Sequence, residues 1–267
     1  MSQGSVVSAG NTGKTEAASV PKPGVIRERV RKYYAFMSFV LLAFMFAGFR
    51  MFYLKGQAFP GRPLVPPIKW LLIVHGVSMT LWVALLVVQS MLIVRRQPLR
   101  HMKLGMIGAG LAVLIFFSGL LLSVKSMQLF PPGMTLWGMT ARQFFVVPTI
   151  SMLLFGAMVG AAIVYRRRPE IHKPMMLFAT VDALGAASGR ADFFNRYYEG
   201  AFVQDIFGPN LLILLVGACF VIGYRVIARG FDKWFVASYL IVLAVNVGMV
   251  RLGFTGAWES IAAVFVG

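Results

Sequence analysis

The side chains able to do chemistry in this chain are few, and most of them stand inside apolar runs. There are three histidines and a single cysteine. His75, Trp82 and Gln89 recur every seven residues, with Ser78 and Met79 between the first two. On a helix that spacing makes one stripe, which should face a bundle rather than lipid. Asp182 shares a helix face with Ala179, Ala186 and Arg190, and Gly185, Ala187, Ser188 and Gly189 around it leave little bulk. Gly185 and Gly189 form a GxxxG spacing suited to close helix approach. Asn246 and Arg251 stand in a later apolar run. A histidine so placed could ligate a haem iron, move a proton or only hydrogen-bond between helices. The arginines stay charged, so they must meet water, an acid or an anionic ligand.

The other two histidines close matching turns. Arg95-Arg96-Gln97-Pro98-Leu99-Arg100-His101 and Arg166-Arg167-Arg168-Pro169-Glu170-Ile171-His172 share R-R-x-P-x-x-H at an offset of 71 residues. Two readings stand side by side: a duplicated helical hairpin whose histidines approach each other, or arginines anchored to headgroups with a proline starting each new helix. A metal site would need further ligands, and Cys219 lies in a different run, so no metal site is expected. A lone cysteine also excludes an internal disulfide, a Cys-x-x-Cys redox pair and c-type haem attachment.

The elements that must position these residues are membrane helices. The chain has 267 residues, 58% hydrophobic and 13% charged, with a mean hydropathy of +0.76. Soluble domains average about 45–50% apolar and about 25% charged. An all-α polytopic bundle is therefore expected, with seven spans near 34–54, 68–94, 103–125, 143–165, 174–194, 211–228 and 234–254, or six if one of the weaker fifth and sixth runs does not cross. A disordered basic tail over 1–33 should precede the helical domain of 34–254, and 255–267 should lie along the outer interface. The net charge of +17 would suggest nucleic acid in a soluble protein, but here basic residues punctuate apolar runs, so membrane lipids are the expected partner. Seventeen of the 26 Lys and Arg residues fall on the side that carries the N-terminus in a seven-span chain. That bias places the N-terminus inside and the C-terminus outside.

Depth arithmetic at about 1.5 Å per residue brings the candidates together. His75 falls roughly 10 Å below the outer interface, with Asn246 level with it and Arg50, Arg190 and Arg251 nearby. The expected ligand-binding set is His75, Arg190, Asn246 and Arg251. Trp82, Gln89, His101 and His172 are secondary candidates, as is Asp182, placed nearer the midplane. Acids for the arginines are available in Asp192, Glu199 and Asp205.

The stripe His75, Trp82 and Gln89, then His101 with Leu104-Gly105, resembles a group of bacterial multi-pass inner-membrane proteins. So do Arg167-Arg168-Pro169-Glu170-Ile171-His172-Lys173 with Met175-Met176-Leu177-Phe178, and the ending Arg251-Leu252-Gly253-Phe254-Thr255-Gly256-Ala257-Trp258. The likeness runs from His75 to Trp258 and implies a multi-pass protein of the bacterial inner membrane. The group has no assigned activity, so no catalytic role comes with it.

Three functions remain open on the residues alone. One is a redox, haem-handling or assembly protein with His75 as an axial ligand. The second is a carrier or receptor for a small anion or lipid headgroup. The third is a structural or assembly subunit with a membrane-complex partner and no chemistry. No nucleophile triad, phosphate-binding glycine loop or H-E-x-x-H helix is present, which argues against a hydrolase or a nucleotide enzyme.

Overall fold

The computed structural model describes residues 23–59, 62–64 and 66–266. The first 22 residues of the expected basic tail lie outside that range. Helix α1 (Pro23–Gly48) starts well before residue 34, so Arg27, Arg29, Arg31 and Lys32 stand on its first turns. It is followed by the short α2 (Arg50–Lys55), which Gly56 closes in the left-handed conformation at φ 59°. The strands β1 (Gln57–Phe59) and β2 (Arg62–Pro63) pair antiparallel.

The long helices α3 (Lys69–Val94), α4 (Pro98–Gln128) and α6 (Val146–Val164) follow, with α5 (Ala141–Phe144) running into α6. Then come α7 (Pro169–Ala183), α8 (Gly185–Ser188), α9 (Asp192–Asn195) and α10 (Phe202–Phe207). A 3-10 turn over Gly208–Asn210 leads into α11 (Leu211–Ala228), then α12 (Lys233–Gly253) and α13 (Gly256–Val266).

Local chemistry sets the boundaries. Pro98 and Pro169 open α4 and α7, where a missing backbone N–H costs no helical hydrogen bond. Asp232 caps α12 by accepting from the Trp234 and Phe235 amides at 3.0 and 3.1 Å. α7 stops at Leu184, whose amide is shared between the carbonyls of Thr180 and Val181 at 3.2 Å each. Gly185 follows, and glycine holds a helix poorly.

Six helical stretches among the described residues are long and apolar enough to cross a membrane: 24–48, 69–94, 98–128, 141–164, 202–228 and 233–253. The molecule is an all-α bundle of the kind an integral membrane protein uses. The fifth expected run is the exception, because it is divided between the 15-residue α7 and the four-residue α8.

That divided element occupies the middle of the bundle. α7 packs on α6 and α12 and touches α11 and α1, with Leu177, Phe178, Ala179 and Val181 fully buried. The main core adds Met37, Leu41 and Met45 of α1, Trp82 of α3, Phe155 of α6, and Phe235 and Val242 of α12. A second core at one end gathers Phe145, Met249, Val250 and Trp258 beneath α13.

Candidate functional site

Polar side chains meet between helices at three levels. The deepest meeting lies at the break in α7. Asp182, Asn210 and Asn246 are 3%, 1% and 2% exposed, so all three have left water entirely. Asn246 of α12 donates through Nδ2 to Asp182 Oδ1 at 2.8 Å and to its own helix at Val242 O at 2.9 Å. Its Oδ1 accepts from Asn210 Nδ2 at 2.6 Å. One amide thus bridges an acid and a second amide from three separate elements.

The network is incomplete. Among the described residues Asp182 Oδ2 and Asn210 Oδ1 are buried acceptors with no hydrogen-bond partner. A Cβ on Gly185 would lie 2.5 Å from Asn210 Oδ1. The first residue after the break is therefore glycine because the asparagine occupies the space. Gly189 meets Pro209 in the same way, its Cβ position 3.1 Å from the Pro209 side chain. The GxxxG spacing packs against the Gly208–Asn210 turn.

The stripe on α3 forms the second meeting, and each of its members bonds to another helix. His75 Nδ1 is 3.0 Å from Ser118 Oγ on α4. Trp82 Nε1 donates to Thr180 Oγ1 on α7 at 3.0 Å, and its ring meets Phe155 edge-on at 5.2 Å. Gln89 Nε2 donates to the His101 carbonyl at 3.1 Å. On one side His75 packs against Gly119 of α4. A Cβ at Gly119 would meet His75 Cε1 at 2.9 Å and would strike the Met152 sulfur as well.

The third meeting joins the two matching turns. His101 and His172 lie ring to ring, with centroids 6.2 Å apart and planes at 86°. The arginines around those turns, Arg95, Arg96, Arg100, Arg166, Arg167 and Arg168, are exposed.

The four leading candidates make different contacts. Asn246 and Asp182, counted at different depths, hydrogen-bond to each other. Arg190 donates to the carbonyls of Ala58 at 3.2 Å and Ala186 at 2.7 Å and lies 4.8 Å over the Phe49 ring. Beside it Arg50 pairs with Asp192 at 3.9 Å, an exposed and weak contact. Arg251 is exposed.

Asn210 was absent from the expected set. Gly208-Pro209-Asn210 has the composition of a turn, and the one hint was a polar residue directly before an apolar run. No family model, curated protein or solved structure matches this chain.

Proposed function

We propose that this chain is an integral protein of the bacterial inner membrane that crosses it seven times, N-terminus inside and C-terminus outside. In this reading α7 and α8 together make the fifth crossing. The 20 residues of 169–188 would span about 30 Å if continuous, and the break falls in their second half. Interrupted backbone at membrane depth is tolerated where protein surrounds it, and carriers place their ion sites at such interruptions.

The function is that of an ion-binding membrane protein of the carrier class. Its centre at Asp182 takes up a proton or an alkali-metal cation. The single observation that carries this is the pair of orphaned acceptors, Asp182 Oδ2 and Asn210 Oδ1, on either side of the Asn246 amide. A buried carboxylate with an unpaired oxygen is costly, and protonation or a small cation relieves that cost. The anion reading has less support, because Arg50 and Arg190 are engaged by Asp192 and by backbone carbonyls. The haem reading rests on His75, whose observed contact is a hydrogen bond with Ser118 Oγ.

Two measurements test this. Protein reconstituted in liposomes should gain thermal stability with Na+ or Li+, or show proton uptake across a pH step, and Asp182→Asn should abolish the response. Identical behaviour of wild type and Asp182→Asn under every cation and pH would leave a structural subunit as the better account. For topology, a reporter after Gly267 should respond as periplasmic and one within 97–99 as cytoplasmic.

A further inference from the structure

The histidine pair at the two matching turns carries a second site, separate from the Asp182 centre. His101 stands on the first turn of α4 and His172 on the first turn of α7, each opened by its own proline. His172 Nδ1 is 2.9 Å from the Ala162 carbonyl. A carbonyl oxygen only accepts, so that nitrogen carries the proton and Nε2 holds the lone pair. A backbone carbonyl fixing one imidazole nitrogen is how proteins orient a histidine to ligate through the other. His101 Nδ1 is buried and has no hydrogen-bond partner. Gln89, which holds the His101 carbonyl through Nε2, leaves its Oε1 buried and without a partner too.

Two imidazoles on opposite sides of one ion, each nitrogen about 2 Å from it, place their ring centres about 6 Å apart. The observed separation is 6.2 Å. The ligand set is neutral, and among the described residues no three His, Cys, Asp or Glu side chains gather to hold a metal. The surroundings are basic: exposed Arg95, Arg96, Arg100, Lys103, Arg166, Arg167 and Arg168, and half-buried Lys173, whose ammonium lies 5.3 Å over the Tyr34 ring. Glu170 is exposed on the same turn. A divalent ion would gain no balancing charge from the two ligands and would add to a positive end of the molecule. A singly charged, imidazole-binding ion suits this place better.

We propose that His101 and His172 bind one monovalent ion of the copper group, Cu+ or its redox-inert analogue Ag+, between their rings, with the Gln89 amide as a weak third donor. This goes against the expectation from spacing alone, which offered no metal site.

The test uses the full chain purified in detergent. Ag+ is followed by calorimetry, and Cu+ by anaerobic titration against a chromophoric chelator. One equivalent should bind, and His101→Ala and His172→Ala should each weaken binding at least 100-fold, while His75→Ala leaves it unchanged. His172→Asn covers the case in which an alanine variant fails to fold, because its amide can still donate to Ala162. The chain has 16 methionines, which also bind such ions. X-ray absorption of the loaded protein should therefore show nitrogen neighbours. Sulfur neighbours, absence of a stoichiometric site, or histidine variants that bind like wild type would each overturn the proposal.

Discussion

The hairpins α3–α4 and α6–α7 share a turn motif and occupy opposite surroundings. α3–α4 lies at the rim, where Leu81, Met106 and Phe117 are 55%, 78% and 64% exposed to what the membrane reading makes lipid. In α6–α7 the second helix is enclosed, with nine of its fifteen residues buried. The turn does not decide which hairpin goes inside. α7 carries Pro174, Thr180 and Asp182, which cannot face hydrocarbon without cost, whereas the outward faces of α3 and α4 are aliphatic and aromatic. The polar helix is the one that must be surrounded. Trp82 then joins the hairpins by reaching from the rim to Thr180.

If enclosure of α7 is set by its polar centre, the largest effect should come from removing the bridging amide. Asn246→Leu leaves Asp182 Oδ1 and Asn210 Nδ2 buried without partners. Each orphan costs about 1–3 kcal/mol, so a loss on the order of 3 kcal/mol is expected. Thermal unfolding in detergent would show it, and an unchanged midpoint would mean that the centre does not hold α7 in place.

Next in size is Gly48→Ala. A Cβ there would lie 2.6 Å from the Ala187 carbonyl oxygen and side chain, so α1 and α8 would have to separate. Overpacking of this kind costs about 1–3 kcal/mol. Denaturant titration of the purified variant would measure it, and no loss would show that α8 can shift freely against α1.

Trp82→Phe is smaller still. It keeps most of the ring against Phe155 and removes only the N–H that Thr180 accepts, for a loss of about 1 kcal/mol. The Thr180 hydroxyl already donates to the Met176 carbonyl at 2.9 Å, so it loses an incoming bond without becoming an orphan donor. Pairing Trp82→Phe with Thr180→Val in a double-mutant cycle would isolate the term. Strict additivity would show that this bond does not couple the hairpins.

These particular residues show how far the fold was legible beforehand. The apolar runs of α3, α4, α6, α11 and α12 are plain in the sequence because a membrane core demands about 20 apolar residues in succession. The every-seven stripe marked the inward face of α3, and all three of its members make bonds between helices. The repeated turn put His101 and His172 within reach of each other. The break at Leu184 was harder to see. Gly185 pointed to close packing, but nothing in the local sequence said that the helix would stop there. With alanines beside it on its own face, Asp182 can find a partner only on another helix or in water. Which helix supplied it depended on the three-dimensional packing of α12, which periodicity does not report.

The smallest effect should come from the rim, and it should have the opposite sign. Gly110 on α4 has nothing within 4 Å of its Cβ position. A methyl group there meets no neighbour, and the helix loses a residue whose backbone freedom opposes helix formation. Gly110→Ala is worth up to about 1 kcal/mol in a water-exposed helix. Among exposed apolar side chains the gain should be smaller, about 0.5 kcal/mol or less, because a helix in hydrocarbon is already held by its own backbone hydrogen bonds. Paired with Gly48→Ala, the same chemical change then gives a loss where α1 meets α8 and a slight gain on α4. Unfolding midpoints of both variants under one detergent condition would decide this. A loss at Gly110 as large as at Gly48 would mean that α4 is covered there, by a second copy of the chain or by a membrane partner. The rim assigned to α3–α4 would then be an interface.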